Sequence, residues 1–248
     1  MAIPTPVSFW NLDESSGDAA DALGVNTLTN NNTVAFGAGL IGNAADFELA
    51  NLESFSIADA SQTGLDLSGD CSFAAWVNFE SLATQNTVFA KTDGSSSRSY
   101  IIRILGVGDG NLMNAECYGD GSTSNRRGAN SDAAFTTSTA TWFHLAATFD
   151  VDSGVWVFYK DGSSIASTAS DAGTVASIFN SSNAFQLGAT NFLGANESYF
   201  DGLMDMVGVW NVTLTSGQVS ELYNAGVGVQ YPFATAKSGR RRMLTGVG

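Results

Sequence analysis

Two aspartates, Asp201 and Asp205, stand inside the otherwise apolar run YFDGLMDMVGVWN (residues 199–211). A carboxylate in such a place can exchange protons, ligate a hard cation, or accept backbone N–H groups. Strict strand alternation puts Asp201, Leu203, Asp205, Val207 and Val209 on one face, which would bury two unpaired carboxylates at a cost of several kcal/mol. A bulge between Gly202 and Met206 would re-aim Asp205 to the strand edge, where it could take backbone donors or a cation.

Other chemistry-bearing residues are sparse. Polysaccharide hydrolysis needs two carboxylates about 5–9 Å apart. Asp46 and Glu48, flanking Phe47, form the nearest such pair, and no E-x-D-x-E pattern is present. A non-catalytic chain is therefore expected. His144 is the sole histidine, which excludes a histidine-based metal cluster. Its place in WFHLAATFD, on one face with Trp142, Ala146 and Thr148, predicts a hydrogen-bonded structural imidazole. The glycine-rich pieces GVGDGN (106–111) and GDGSTSN (119–125) lack the strand-to-helix setting of a phosphate loop and read as loop tips. Beside the second, Tyr118, Asp120 and Asn125 make a candidate ligand groove. Arg126 and Arg127 form a basic island in an acidic chain. They could grip a partner's carboxylate or an acidic sugar, or simply answer nearby acids.

The elements that must position these residues read as strands. Apolar alternation marks CSFAAWVNF (71–79), with Phe73, Ala75, Val77 and Phe79 on one face. In residues 142–150, Phe143, Leu145, Ala147 and Phe149 do the same. Asp161-Gly162 is a two-residue type I′ hairpin turn. One helix is predicted: Thr215 as N-cap and Gln218 at N3 make a capping box, Leu214 and Val219 a staple, and Gly226 a C′ stop. The expectation is an all-β, two-sheet antiparallel jelly-roll sandwich with one short C-terminal helix.

Bulk properties narrow the partners. The 248 residues carry a net charge of −14, and −18 without Lys237, Arg240, Arg241 and Arg242. Such a body repels nucleic acid and anionic membranes and attracts cations. No run approaches a membrane-spanning length, so no membrane insertion is expected, and no signal peptide is visible at the N-terminus. Cys71 and Cys117 are the only cysteines, either buried thiols or a mutual disulfide. After Phe233 the composition turns small and basic, dividing the chain into a domain at 1–233 and a tail at 234–248.

FWNLDESSGDAADALG (9–24), SGDCSFAAWVNF (68–79), WFHLAATFD (142–150), VFYKDG (157–162) and FDGLMDMVGVWNVTLTSGQVSELYNAG (200–226) together resemble the laminin-G-like, concanavalin A-like jelly-roll family. The resemblance implies two stacked antiparallel sheets whose N- and C-terminal strands meet, and domains that bind carbohydrate or protein, often with one calcium ion. It also brings the N-terminal acidic loop close to the last strand, so that a Ca2+ site could draw on Asp13, Glu14, Asp21, Asp201 and Asp205. Met206 departs from the family pattern, which has a second acid there.

Two functions are expected. The first is a structural or adhesive component of an extracellular assembly, such as a phage particle or filament, with Lys237, Arg240, Arg241 and Arg242 contacting a neighbouring subunit. The second is a lectin-like carbohydrate-binding module with glycans as partners.

Overall fold

The structure, a computed structural model, describes residues 2–192 and 195–233. The tail cations Lys237, Arg240, Arg241 and Arg242 lie outside the described residues. Two eight-stranded antiparallel sheets stack face to face. The first runs, in spatial order, β13 (Ser163–Ile165), β12 (Val155–Lys160), β11 (Trp142–Asp150), β6 (Cys71–Phe79), β18 (Gly202–Trp210), β4 (Asn43–Phe47) and β3 (Ala35–Ala38), with β1 (Ser8–Trp10) also paired to β18. The second runs β14 (Ser167–Ala169), β10 (Arg126–Ala134), β9 (Leu112–Tyr118), β8 (Arg98–Ile104), β7 (Asn86–Thr92), β15 (Phe185–Leu187), β5 (Ser54–Ile57) and β2 (Thr29–Asn31). A small hairpin, β16 (Thr190–Phe192) with β17 (Ala195–Glu197), stands beside the second sheet.

The core lies between the sheets. Phe73, Ala75, Val77 and Phe79 of β6, with Leu145, Ala147 and Phe149 of β11, meet Phe89, Tyr100, Ile102 and Cys117 from the second sheet. Cys71 and Cys117 are free buried thiols, so no disulfide joins the sheets. Tyr100 is fully buried and donates its hydroxyl to the Leu65 carbonyl at 2.9 Å.

The first sheet hides its outer face. Ala74, Trp76, Ala146, Tyr159, Met206 and Trp210 form a second apolar layer, covered by Leu214 and by Val219 and Leu222 of α1 (Ser216–Tyr223). An eight-residue helix is marginal in water alone, so this docking sustains it. The capping box forms as expected, with the Gln218 N–H donating to the Thr215 hydroxyl. The helix ends earlier than Gly226: Asn224 takes the left-handed conformation (φ 48°). Its amide donates to the Gly228 carbonyl at 2.9 Å, the kind of local bond that suits asparagine to this backbone.

A bulge is present in the last strand, but it follows Asp205 instead of re-aiming it to the edge: Asp205 stays in register with Trp76 and is fully buried. Pairing between β18 and β6 slips between Asp205 and Gly208, and Met206 has φ 48°. The hairpin turn at Asp161 and Gly162 (φ 49° and 74°) also forms, and the Asp161 carboxylate accepts the His144 N–H at 2.9 Å.

Candidate functional site

The outer face of the second sheet is polar. In register, Arg126 faces Tyr118, Gly128 faces Glu116, Asn130 faces Asn114, and Ile101 faces Glu116 from the other side. Residues paired across a sheet share a face, as do every second residue along a strand. Asn114, Glu116 and Tyr118 therefore form a row on β9, flanked by Arg103 on β8 and Arg126 on β10. Arg103, Glu116, Tyr118 and Arg126 floor a cavity of about 330 Å3, rimmed by Gly94, Thr123 and the β16–β17 hairpin through Asn191 and Glu197.

Glu116 is the centre of this floor. Its Oε2 accepts the Tyr118 hydroxyl and lies 3.6 Å from an Arg103 amino nitrogen. Its Oε1 lies 3.8 Å from Arg126. The two arginines are held through Nε, Arg103 donating to Asn114 Oδ1 at 2.7 Å and Arg126 to the Ser170 carbonyl at 3.1 Å. Arg98 donates to the carbonyls of Gly94, Ser95 and Gly121, which ties the two rim loops together, and its guanidinium stands 5.6 Å from the Tyr118 ring centroid. Burial and the Glu116 charge hold the Tyr118 phenol well above its usual range, so it remains a neutral donor. Gly128 makes room for this arrangement, since a Cβ there would stand 2.7 Å from Ser170 Oγ and 3.3 Å from Glu116 Cγ.

Of the ligand residues expected from sequence, Tyr118 and Arg126 are in the cavity. Asp120 caps its own loop, accepting the Ser122 N–H at 2.9 Å and hydroxyl at 2.7 Å, bonds that lower its carboxyl below the usual range. Asn125 closes the same loop by accepting the Gly119 N–H at 2.8 Å through its carbonyl. Arg127 points to the opposite face, because neighbours on a strand alternate. Its guanidinium pairs with Asp171 at 2.9 Å and its carbonyl accepts the Trp156 indole at 3.1 Å. Sequence reasoning missed Arg98, Arg103 and Glu116. The strict alternation in NAECY, polar Asn114, Glu116 and Tyr118 against apolar Ala115 and Cys117, is the signal that marks this row.

The acidic residues fall into two groups. Near the N-terminal loop, Asp21 accepts the N–H groups of Phe9, Leu23 and Asn26, and Glu14 that of Ala20. Asp13 accepts Asn43 N–H at 3.0 Å and the Gln230 side chain. Asp205 is fully buried and accepts Leu40 N–H at 2.9 Å and Ile41 N–H at 3.1 Å, while its Oδ1 has no partner. Burial pushes its carboxyl up to about 7, the Asp13 charge adding to the rise, against the pull of the two backbone bonds. The 39–43 turn thus brings Asp13 and Asp205 together.

Asp201 belongs to the other group, at one end of the first sheet's outer face. Its carboxylate lies with those of Glu48 and Glu80, oxygens within 4.8 Å of one another, a set able to hold a metal ion. Asp46 stands beside them. Desolvation and then mutual repulsion raise the carboxyls of Asp46, Glu48 and Glu80. The pair Asp46 and Glu48 therefore sits on the sheet opposite the cavity. His144 is buried between Trp76 and Tyr223, ring centroids at 5.3 and 6.1 Å. Its Nδ1 has no hydrogen-bond partner, and the ring packs edge-on to Trp76. Burial pushes the imidazole down to about 3, which keeps it neutral.

The sequence model of the concanavalin A-like lectin/glucanases superfamily, Laminin_G_3, matches residues 52–220, most of the chain and all three floor strands. The chain belongs to this superfamily. Among solved structures, this superfamily member is similar to domain 4 of AbnA, an extracellular GH43 arabinanase from Geobacillus stearothermophilus, solved in complex with arabinotriose. The TM-score is 0.64 at 23% identity, covering 88% of this chain and 97% of that one. It is also similar to the Ruminococcus gnavus IT-sialidase CBM40 bound to alpha2,3 sialyllactose, with TM-score 0.55, 15% identity, and 73% and 96% of the two chains covered. The binding domain of botulinum neurotoxin serotype G aligns at TM-score 0.63 and 15% identity over 90% of this chain, which spans about half (51%) of that one. At these identities the likeness establishes the fold. No curated protein sequence matches the chain.

Proposed function

We propose that this superfamily member is a non-catalytic, lectin-like carbohydrate-binding module whose ligand lies in the cavity on the second sheet. The observation that carries the reading is the floor itself. Arg103, Glu116, Tyr118 and Arg126 converge from three strands on one cavity of about 330 Å3. Sugar hydroxyls need that mixture of fixed donors and acceptors around a concave site. The neighbours solved with arabinotriose and sialyllactose support the reading. Of the two carboxylates in the lining, Glu116 is tied to Tyr118 and two arginines on the floor and Glu197 stands on the rim hairpin, which supports binding over the paired acid–base work of glycoside hydrolysis.

Any calcium the module takes is proposed at Glu48, Glu80 and Asp201. Those carboxylates crowd one another and take a single backbone donor among them, Leu49 N–H to Asp201 at 3.1 Å, whereas Asp13, Glu14, Asp21 and Asp205 are each engaged by backbone donors. A place in an extracellular assembly, with the tail on a neighbouring subunit, is compatible with the binding reading, because four cations face a body of −18.

The test is calorimetric titration of the full chain with neutral and charged oligosaccharides, including arabinan fragments, with product analysis for hydrolysis. Binding without turnover, weakened by Tyr118→Ala, is expected. Silence across the panel, or binding indifferent to changes in the floor, would overturn the reading.

A further inference from the structure

We propose that the groove selects a glycan bearing a carboxylate on its sugar ring; this rests on the groove being the glycan site. Six of the ten basic residues precede residue 234, and three of those six, Arg98, Arg103 and Arg126, line this single cavity. The lining carries two carboxylates, Glu116 and Glu197, so the groove is net cationic on a chain of charge −14. That concentration runs against the field of the rest of the molecule, which would otherwise repel an anionic sugar.

The geometry of the two inner arginines fits the same ligand. Each is anchored through Nε, to Asn114 Oδ1 or the Ser170 carbonyl. At 3.6 and 3.8 Å their contacts with Glu116 are ion pairs longer than a hydrogen bond, so the terminal amino groups keep donors for another acceptor. A guanidinium fork matches a planar carboxylate with two parallel bonds, a fit that a hydroxyl does not need and an ammonium does not offer. Arg98 spends its N–H groups on loop carbonyls. It contributes charge and holds the rim.

The shared chemistry, a ring carboxylate, occurs in uronic acids and in sialic acids. The experiment titrates the full chain with size-matched neutral, uronate-containing, sialylated and sulfated oligosaccharides. One carboxylated set is expected to bind about tenfold or more tighter than its neutral counterpart, and the better of the two names the source. Its affinity should fall several-fold as salt rises from about 50 to about 300 mM. Arg103→Gln and Arg126→Gln should each lose about tenfold or more on that set, and Arg103→Lys should lose less by retaining the charge. Melting curves matched to the parent protein show that the variants are folded. Tight binding of neutral sugars alone, abolished by Tyr118→Ala, would overturn the inference and leave the carbohydrate reading standing. Preference for sulfated over carboxylated sets, or carboxylate binding untouched in folded arginine variants, would also overturn it. No binding by any set would remove both.

Discussion

Asp205, in the middle of β18, accepts the backbone N–H of Leu40 at 2.9 Å from a turn 165 residues away in sequence. The bulge after Asp205 and the turn at 39–43 are thus joined by one buried carboxylate.

That carboxylate gives stability a definite slope with pH. The folded carboxyl is raised to about 7 from an ordinary 3.8, so its charged form is disfavoured in the fold. Its contribution is best at acidic pH and is lost as pH climbs from about 4 through about 7, by up to about 4 kcal/mol. Asp205→Asn should flatten this slope, and Asp205→Ala should destabilise at every pH by leaving two N–H groups unpaired, about 1–3 kcal/mol. Urea unfolding at several pH values measures both.

His144 acts at the other end of the scale. Its imidazole, pushed down to about 3 by burial, is neutral in the fold and gains a proton on unfolding below 6.5. Its contribution is complete above about 6.5 and declines as pH falls toward 3, by up to about 5 kcal/mol. His144→Leu should remove this acid-side loss while leaving the alkaline limb to Asp205, read from the same unfolding series.

Lys91 is wholly buried, its amine 2.5 Å from Asp59, 3.1 Å from Asp66 and 2.9 Å from the Asn183 carbonyl. Both aspartates keep access to water and can rehydrate when the cation goes. Lys91→Met should therefore cost about 1–2 kcal/mol, less than a fully buried pair would. A denaturant midpoint shift with unchanged m-value would show it.

The crowded carboxylates at Glu48, Glu80 and Asp201 repel one another at neutral pH. Glu80→Gln should raise the melting temperature by relieving that repulsion. Millimolar calcium should raise the melting temperature of the parent protein and have little effect on Glu80→Gln. An equal response in both would place any calcium elsewhere.

Much of the architecture is written locally and could be read there. Asp161-Gly162 turns because both residues take positive φ, and Thr215 with Gln218 starts the helix because each side chain meets the other's backbone. The groove is not local. Arg103 and Glu116 come from neighbouring strands and meet only through the register that sets Arg103 opposite Asn114. Sequence adjacency groups Arg127 with Arg126, and the pleat then sends them to opposite faces. Similarly, Asp201 and Asp205 are four residues apart, yet the first meets Glu48 and Glu80 while the second meets Leu40 and Ile41.

Ile3 and Phe233 both rest in the aromatic layer outside the first sheet, the side away from the groove. Both thus mark the face of the molecule opposite the groove. A support bound at that face would leave the groove turned outward like an open palm. If the groove is the proposed glycan site, copies fixed to one support would grasp successive units of a polymer together, turning modest single-site affinity into avidity.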